Sequence, residues 1–512
     1  MSERRSRNLA ALAIFAAMAA TLFVFHANRW VATNDEGMIP EPAQRILAGA
    51  RPYSDFFAYM SPGSYWLQAL IYRVFGVAMW TSRAMVIFDL SLECALVFWI
   101  ISKSASRGAG IAAALIFAGF QLADPSYLTS AHRWDSAALA LAGIAAALSE
   151  SRWRWLWCGV LLAASAWCTP ALAMAGAAVV VYLAIRERRE IVSFAGGAGI
   201  VTLAAVGALA VAGNFGAFLA QLAWLRTNYA AVNVMPYGSV IGGYRALFEG
   251  TSGVAEAIVR GVLVGGVALP AVFPVLAIVL AGWVYARASR EDRMRLELLG
   301  LCCVAITATV FPRADVAHLI FIEALPLALC AIALARLAPA RVSAGIAMAG
   351  LLLAAMFGSN FFTTLRGTAR VASAIGELRV EAKEAPGMEA LFARVRPGQT
   401  MFVYPYMPML YVATQAKNPT RFSYLAPGMM TDREASAALD ELRAHPAEWL
   451  MYLKLPREEF LRVFPNATGL DAHFEALEAW MNANYEPVQD PAAGYAGYRL
   501  YRFRSPELEA RH

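Results

Sequence analysis

Residues 9–25, LAALAIFAAMAATLFVF, decide the fold class because they form an apolar run without a charged side chain. Three arginines, Arg4, Arg5 and Arg7, precede this run. A membrane-spanning helix needs about 20 apolar residues, somewhat fewer where flanking side chains contribute. No convincing small-residue cleavage site follows, and further apolar runs come later in the chain. We therefore interpret residues 9–25 as an uncleaved first membrane span and not as a secretory signal.

Composition extends this interpretation to most of the chain. Of the 512 residues, 59% are hydrophobic and 16% are charged, whereas soluble domains carry about 25% charged residues. The fold class predicted is an α-helical polytopic membrane protein with about eleven transmembrane helices, which excludes an ordinary soluble enzyme. After the first span, the predicted apolar cores are residues 83–102, 108–122, 136–148, 155–168, 171–185, 191–213, 258–286, 296–311, 319–337 and 342–357.

The charged residues divide the chain into two domains. Residues 1–364 hold 45 charged side chains and net +7, whereas the 148 residues of 365–512 hold 35 and net −1. The second density is typical of soluble proteins. We predict a transmembrane domain at 1–364 and a small soluble α/β domain at 365–512. Because the positive excess belongs to loops beside membrane spans, it does not indicate a nucleic-acid partner.

The distribution of cations predicts the orientation. With the N-terminus in the cytoplasm, short cytoplasmic connections hold 16 of the 26 Lys and Arg residues of the transmembrane domain, as the positive-inside tendency requires. An odd number of spans then places the C-terminal domain on the extracytoplasmic side of a bacterial inner membrane. The longer loops, residues 28–80, 124–135 and 214–254, share that side.

The C-terminal domain shows alternating helix and strand signals. Its tyrosine-rich segments, FVYPYMPMLY (402–411) and KNPTRFSY (417–424), could stack on sugar rings, although aromatic side chains beside a strand are more often core residues. The predicted elements are helix 368–395, strand 400–404, short helix 408–414, helix 433–444, strand 449–454, helix 472–484 and strand 498–503.

An acidic pair follows the first span, in Asn34-Asp35-Glu36-Gly37. Two adjacent carboxylates at the edge of a membrane bundle are placed to remove a proton or to hold a divalent cation. Partial dehydration would raise the pKa of one of them, which suits a general base. The alternative is structural, because Asn34 or Asp35 could cap a helix over residues 41–47.

Two further outside turns combine Arg, Asp and His. They are SAHRWD at residues 130–135, with His132, Arg133 and Asp135, and FPRADVAH at residues 311–318, with Arg313, Asp315 and His318. Each combination could bind a phosphate or, through Asp and His, a divalent cation. Each could equally be a lipid-headgroup anchor with an internal ion pair between Arg and Asp. Two such turns on the side of Asp35 favour a functional site.

Acidic residues also lie within the spans. Asp89 and Glu93 share one helix face, and Glu323 lies in the tenth span. Carboxylates at this depth normally face the bundle interior, where they could line a substrate groove or a proton path. Hydrogen bonds to Arg83 or to a neighbouring helix are the structural alternative.

The first loop as a whole resembles a known family. The acidic pair is followed by GARPY (49–53) and YMSPGSYW (59–66), and this succession resembles the first periplasmic loop of GT-C membrane glycosyltransferases. The most similar branches are the protein O-mannosyltransferases and the lipid A aminoarabinose transferases. The two Arg-Asp-His turns are similar to segments of the same superfamily.

The resemblance implies a GT-C fold and a polyprenyl-phosphate sugar donor. Asp35 would be the catalytic base for an acceptor hydroxyl, and Glu36 would orient the acceptor or a metal ion. Transfer with inversion needs one carboxylate base, because a phosphate leaving group needs little protonation. The predicted donor-phosphate ligands are Arg133, Arg313, His132 and His318. A divalent metal ion, held by Asp135 and Asp315, is possible but not required.

The predicted function is therefore transfer of a sugar to a hydroxyl of a lipid, glycan or protein on the extracytoplasmic face. A transporter or flippase of a lipid-linked saccharide is the alternative, with Asp89, Glu93 and Glu323 as its pathway. A non-catalytic membrane scaffold acting through the C-terminal domain is a third hypothesis.

Overall fold

The computed structural model describes residues 3–31, 33–58, 60–248, 253–426, 430–463, 474–490 and 493–504. The described part of the first 366 residues is helical apart from its loops and short turns. Its helices are α1 (Glu3–His26), α2 (Pro40–Leu47), α3 (Pro62–Phe75), α4 (Met79–Ser104), α5 (Arg107–Gln121), α6 (His132–Ala147), α7 (Arg154–Cys168), α8 (Ala173–Arg186), α9 (Ile191–Val211), α10 (Phe215–Trp224), α11 (Ala230–Val232), α12 (Val254–Tyr285), α13 (Arg290–Ala308), α14 (Val316–Leu319), α15 (Ala324–Leu337) and α16 (Ala340–Arg366).

Each of the eleven predicted apolar stretches falls on one of these helices or on a pair of them. Five helices in the described part of the chain are long and apolar enough to cross a membrane, namely α1, α4, α9 with the turn before it, α12 and α16. A sixth span results if the pair Val316–Ile322 and Ala324–Leu337, bent by 66°, is counted as one. The protein is thus a multi-pass membrane protein, whereas the predicted number of about eleven spans is not confirmed.

Helix α4 lies at the centre of the bundle. In its most apolar stretch of 18 residues, 72% of the residues are buried, compared with 11–22% in the corresponding stretches of the other four long helices. Its neighbours include α1, α5, α6 and α15. This position explains why α4 tolerates Arg83, Asp89 and Glu93, since charged side chains within a membrane domain normally face the protein interior.

The C-terminal domain contains a hairpin and a mixed sheet. The sheet has the order β3-β4-β7-β5, with β6 paired to β7, and β3 runs parallel to β4 while the other neighbours are antiparallel. The strands are β1 (Thr368–Ser373), β2 (Gly376–Glu381), β3 (Met401–Tyr404), β4 (Trp449–Tyr452), β5 (Tyr485–Pro487), β6 (Gly494–Tyr495) and β7 (Tyr498–Phe503). The helices are α17 (Ala385–Arg394), α18 (Met409–Thr414), α19 (Asp432–Ala444), α20 (Arg457–Val463) and α21 (Glu475–Asn484).

The predicted helix over residues 368–395 is wrong. Its first half forms the antiparallel hairpin β1–β2, in which Gly376 has φ 105°, a conformation that disfavours continued helix. The alternating residues Leu378 and Val380 are buried, as in a strand with one covered face. Only the second half becomes helical, as α17. The other predicted elements coincide with β3, α18, α19, β4, α21 and β7, except that residues 472 and 473 lie outside the described residues.

The C-terminal domain packs directly on the first loop. The Trp30 N–H donates to the Arg379 carbonyl oxygen, and the Arg379 N–H donates to the Asn28 carbonyl oxygen, both at 2.8 Å. The Trp30 ring contacts Tyr495 edge to face, at a centroid distance of 5.7 Å. Because Trp30 is buried in the hydrophobic core of the C-terminal domain, the loop after α1 is part of both domains.

Candidate active site

The acidic pair lies in a tight turn between α1 and α2. The Glu36 N–H donates to the Thr33 carbonyl oxygen at 3.2 Å, and the Met38 N–H donates to the Asp35 carbonyl oxygen at 3.1 Å. Helix α2 begins later, at Pro40, and its N-cap residue, Ile39, makes no side-chain capping bond. The hypothesis that Asn34 or Asp35 caps this helix is therefore wrong.

Glu36 holds the turn in place. Its carboxylate forms a buried ion pair with the Arg83 guanidinium at the start of α4, and its Oε2 accepts the Val31 N–H at 2.8 Å. Burial raises the pKa of Glu36 to about 7, although Arg83 and the Val31 N–H oppose the increase. Both oxygens of Glu36 therefore bind protein groups, one in α4 and one at the end of the loop segment after α1.

Arg83 fixes three segments at once. Besides Glu36, its guanidinium donates to the Leu128 carbonyl oxygen at 3.0 Å and to the Arg29 carbonyl oxygen at 2.9 Å. A planar guanidinium suits such multiple contacts. The end of α1, the acidic turn and the loop before α6 thus share one anchor on the central helix.

Asp35 lies in a recess that solvent reaches but protein surrounds. Its side chain is exposed to solvent, whereas the neighbouring Glu36 is 2% exposed. The surrounding protein dehydrates the carboxylate and raises the pKa of Asp35, and the Arg313 charge and a hydrogen bond from Tyr406 oppose the increase. The Tyr406 hydroxyl donates to Asp35 Oδ1 over 3.4 Å, a long contact. The carboxylate is thus accessible to solvent and within electrostatic range of Arg313.

Arg313 is the cation whose charge acts on Asp35, and this residue is buried, with 6% of it exposed. Its Nε donates to Asp315 Oδ2 at 3.0 Å, and its Nη1 donates to Asn233 Oδ1 at 2.9 Å. The backbone of the turn is paired with the third loop, because the Met235 N–H donates to the Pro312 carbonyl oxygen at 3.0 Å. Contacts from both loops therefore fix the guanidinium.

Asp315 joins Arg313 to His318. It is the N-cap of α14 and accepts the His318 N–H at 3.0 Å, while the His318 ring nitrogen Nδ1 lies 2.6 Å from Asp315 Oδ1. Burial alone would raise the pKa of Asp315, but the contacts with His318 and Arg313 outweigh it and hold the pKa below its ordinary value. The carboxylate thus remains ionised and balances the Arg313 charge.

The turn before α6 packs against this group. The Trp134 ring contacts Phe321 at a centroid distance of 4.5 Å. Arg133 lies within electrostatic range of Asp315 and Arg313, and His132 lies within range of His318. The His132 Nδ1 is 2.7 Å from the Thr169 hydroxyl. We call Arg133, Arg313, His132, His318 and Asp315 the cationic cluster; the structure brings all five predicted residues together.

Asp135 lies outside the cationic cluster. Its carboxylate faces Asp89 of α4 and the Ser64 hydroxyl of α3. Asp135 and Asp315, the predicted metal ligands, thus have different neighbours. Among the described residues, no three His, Cys, Asp or Glu side chains are grouped so that they could hold a metal ion. The metal role predicted for the two carboxylates stays a prediction without a cluster to support it.

The acids within the spans form two carboxyl pairs. Asp89 faces Asp135, and Glu93 faces Glu323, whose Oε1 accepts a hydrogen bond from the Gln121 amide at 3.1 Å. All four carboxyl groups are buried. The alternative of hydrogen bonds between these acids and Arg83 is not what the structure shows, since the described contacts of Arg83 go to the first loop and to Leu128.

The sequence did not single out two residues near Arg313, Tyr229 and Asn233, which come from the third loop. Tyr406 and Tyr424, which lie near Asp35, come from the tyrosine-rich segments that the sequence indicated as possible sugar-stacking surfaces. The other tyrosines of these segments, Tyr404 and Tyr411, are core residues, and Arg421 pairs with Glu441 at 2.7 Å.

The fold is similar to that of a solved membrane transferase. ArnT from Cupriavidus metallidurans bound to undecaprenyl phosphate is 13% identical, with a TM-score of 0.50 over 80% of this chain and 85% of that chain. The same enzyme in the apo state is 14% identical, with a TM-score of 0.49 over 80% and 84%. The Archaeoglobus fulgidus oligosaccharyltransferase, in complex with zinc and sulfate, is 11% identical, with a TM-score of 0.43 over 86% and 67%.

No family model and no curated protein sequence matches the chain. At these identities the similarity to ArnT concerns the fold. The GT-C fold predicted from the first loop is therefore confirmed.

Proposed function

We propose that this protein is a membrane glycosyltransferase that moves one sugar, with inversion, from a polyprenyl-phosphate donor to a hydroxyl of a lipid, glycan or protein acceptor. The observation that carries the proposal is that the accessible Asp35 carboxylate lies within electrostatic range of Arg313 of the cationic cluster. A base and a phosphate-binding group at one recess are the two elements that this reaction needs.

In the proposed step, Asp35 removes the acceptor hydroxyl proton while the acceptor oxygen attacks the anomeric carbon. The bond from that carbon to the phosphate oxygen breaks, and its electron pair leaves with the polyprenyl phosphate. Arg313 and Arg133 balance the charge that this phosphate gains, since guanidinium groups bind phosphate strongly. His132 and His318 complete the proposed phosphate site, since His318 shares the Asp315 carboxylate with Arg313 and His132 lies within electrostatic range of His318.

The raised pKa of Asp35 supports its assignment as the base. A carboxylate of ordinary pKa is a weak base near neutral pH, and dehydration makes it stronger. Arg313 and Tyr406 limit the increase, because both favour the charged form of the carboxylate. Glu36, whose own oxygens bind Arg83 and Val31, serves to keep Asp35 in this position.

The shared fold supports the donor class. The solved ArnT structure contains undecaprenyl phosphate, and a polyprenyl phosphate is the donor carrier proposed here. We place the site on the extracytoplasmic face of a bacterial inner membrane, with the N-terminus in the cytoplasm, as the distribution of cations favours. A lipid-linked donor fits that side, because water-soluble nucleotide sugars are made in the cytoplasm.

One observation favours a second candidate, a transporter or flippase of a lipid-linked saccharide. The carboxyl pairs Asp89–Asp135 and Glu93–Glu323 are buried in the bundle, and polar groups at this depth often mark transport or proton pathways. This candidate requires the buried pairs and leaves Asp35 dispensable.

A transfer assay distinguishes the two candidates. Membranes containing the wild type, Asp35→Asn or Asp89→Asn are supplied with a polyprenyl-phosphate donor carrying a radiolabelled sugar, and label in the acceptor fraction is measured. The enzyme candidate predicts that Asp35→Asn abolishes transfer while Asp89→Asn retains it. Full transfer by Asp35→Asn would exclude Asp35 as the base. Arg370→Ala, which removes an exposed cation of the β1–β2 hairpin, is the matched surface control.

A further inference from the structure

We propose that Tyr406 of the C-terminal domain is a positioning residue for Asp35 and that its ring, which packs on the buried Tyr424, is the aromatic surface on which the sugar ring of the donor lies. This inference rests on the proposed function, since it assigns the sugar-binding wall of the same site. It also gives the C-terminal domain a direct part in the reaction.

Tyr406 and Tyr424 lie close to Asp35, the proposed catalytic base. The Tyr406 hydroxyl points to Asp35 Oδ1 over 3.4 Å. Its ring lies 4.3 Å, centroid to centroid, from that of Tyr424, with an interplanar angle of 52°. Tyr424 is buried, whereas Tyr406 is only partly buried. Tyr424 thus packs against the ring of Tyr406, and part of Tyr406 stays accessible to solvent.

Backbone contacts fix Tyr406 relative to Asp35. The Tyr498 hydroxyl donates to the Tyr406 carbonyl oxygen at 2.7 Å, and the Leu425 N–H donates to the Pro405 carbonyl oxygen at 3.1 Å. The Met409 N–H donates to the Glu36 carbonyl oxygen at 3.1 Å. The tyrosine and the base therefore belong to one hydrogen-bonded unit made from two distant parts of the chain.

Gly37 permits this close approach. Its φ is +92°, and a Cβ built at this position would lie 2.1 Å from the Met409 backbone nitrogen. A side chain here would push the segment of residues 405–409 away from the acidic turn, because neither backbone can yield. The close contact between the two segments therefore requires a residue without a side chain at position 37.

The charged and titratable groups that face Asp35 come from the turn before α14, from the third loop and from the C-terminal domain. They are Arg313, Tyr229, Tyr406 and Tyr424. Burial and the Asp35 charge raise the pKa of Tyr406 well above its ordinary value. Its hydroxyl therefore stays protonated at any working pH, so that it acts as a hydrogen-bond donor to the carboxylate and not as a competing base.

A ring at this position suits a sugar. Pyranose and furanose rings present faces of C–H groups, which pack favourably on the negative face of an aromatic ring, whereas the tyrosine hydroxyl supplies a polar end. Tyr406 is partly accessible, and its hydroxyl contacts Asp35, the proposed base that meets the acceptor hydroxyl near the anomeric carbon. The ring is thus proposed to bind the sugar and the hydroxyl group to position Asp35, and different substitutions can test the two roles one at a time.

The test compares Tyr406→Phe, which removes the hydroxyl and keeps the ring, with Tyr406→Ala, which removes both. The matched control is Tyr501→Phe, a tyrosine of strand β7 whose ring contacts Tyr452. Full-length proteins in membranes are assayed with labelled polyprenyl-phosphate sugar, and kcat and KM are measured from pH 4 to pH 9. A thermal melt in detergent verifies that each variant is folded.

We expect Tyr406→Phe to shift the acid limb of kcat/KM to higher pH by roughly half a unit, since loss of a hydrogen bond to the charged form raises the pKa of a base. Tyr406→Ala should show the same shift and, in addition, an increase in donor KM of about tenfold, the value of one lost aromatic contact. Tyr501→Phe should match the wild type in both respects.

The outcomes separate this inference from the proposed function. If the wild type transfers sugar and Asp35→Asn does not, while both Tyr406 variants keep the wild-type pH profile and donor KM, the role of Tyr406 is excluded and the glycosyltransferase stands. If the wild type transfers no sugar from the donor, the proposed function fails, and this inference fails with it.

Discussion

The turn of residues 130–135 and the turn of residues 311–318 contain the same three chemical groups in different arrangements. Around Arg313, the Asp315 carboxylate bonds both the guanidinium and the His318 ring. Around Arg133 the three side chains separate, since His132 contacts Thr169 and Asp135 faces Asp89. In the first arrangement Asp315 joins the three side chains directly, whereas in the second each side chain faces a different segment of the protein.

Secondary structure explains the difference. Arg313 and Asp315 precede α14 in an extended segment, where side chains two positions apart lie on one side. Arg133 and Asp135 belong to the first turn of α6, where side chains two positions apart point in nearly opposite directions. The same spacing of residue types therefore makes an ion pair in one turn and prevents it in the other. Composition alone does not determine the chemistry of such a turn.

The largest effect expected from this comparison is the loss of Arg313. Arg313→Ala should lower kcat/KM of sugar transfer by about 100-fold, because a buried charge beside the reacting groups is lost. Arg133→Ala, which removes the more loosely held guanidinium, should cost about tenfold. Transfer rates with labelled donor measure both, and Arg370→Ala controls for removal of an exposed cation. Equal losses in the two arginine variants would contradict the distinction between the turns.

The second prediction concerns the two aspartates. Asp315→Asn should reduce transfer about tenfold and lower the free energy of unfolding by roughly 3 kcal/mol, since it leaves a buried guanidinium without its counter-charge. Asp135→Asn should leave transfer within about twofold and should not lower the melting temperature, since its neighbour Asp89 is itself a carboxyl group. The measurements are transfer rates and thermal melts in detergent. A large loss of transfer in Asp135→Asn, restored by added divalent metal, would revive the predicted metal role.

The third prediction is a pH dependence. Asp35 acts as a base only when ionised, so kcat/KM should fall as the pH falls through a pKa above the ordinary value of 3.8. Arg313 lowers this pKa, and its removal in Arg313→Ala should therefore move the acid limb to higher pH, by roughly half a unit. Arg133→Ala should leave the limb in place. An acid limb with the same midpoint in all three proteins would show that Arg313 does not act on the base.

The smallest expected effect concerns the helical turn itself. Thr169→Val removes the hydroxyl that lies 2.7 Å from His132 Nδ1 and preserves the shape of the side chain. Without this contact the imidazole orientation is less fixed, and we expect donor KM to rise about twofold with kcat unchanged. Thr227→Val, a substitution on an exposed surface, is the matched control. A fall in kcat instead of a rise in KM would assign His132 to the chemical step.

The sequence predicted the parts of the fold that depend on local composition. Apolar runs such as residues 9–25 and 342–357 coincide with helices α1 and α16, because insertion into a membrane depends on hydrophobicity over a single segment. The density of charged residues also changes near residue 365, shortly before strand β1 begins at Thr368; the division into two domains at this point stays a prediction. The number of spans was less accessible, because helices such as α5 and α7 have only 15 residues and bury much of their surface against neighbours.

The hairpin β1–β2 and the docking of the C-terminal domain depend on contacts far apart in sequence. Residues 368–381 have helix-compatible composition, and the pairing of Arg379 with Trp30 requires a strand that no local pattern demands. Tertiary contacts override weak local preferences in this way.

The site was predictable as residue types and not as contacts. Asp35, Arg133 and Arg313 were named because acids and cations on the outer side of a membrane bundle are conspicuous. The ion pair of Glu36 with Arg83, which lies in the next span, has no sequence signature, and neither has the approach of Tyr406 to Asp35. These contacts arise only when loops separated by tens or hundreds of residues are folded together.

The contact of Gly37 with Met409 also sets the order in which the surroundings of Asp35 can form. The acidic turn is synthesised among the first forty residues, whereas the segment that contacts it follows more than 360 residues later. Until that segment has been made, Asp35 lacks its contact with Tyr406, and Glu36 lacks its backbone hydrogen bond from Met409. The first loop therefore reaches its final structure only after synthesis has passed Met409.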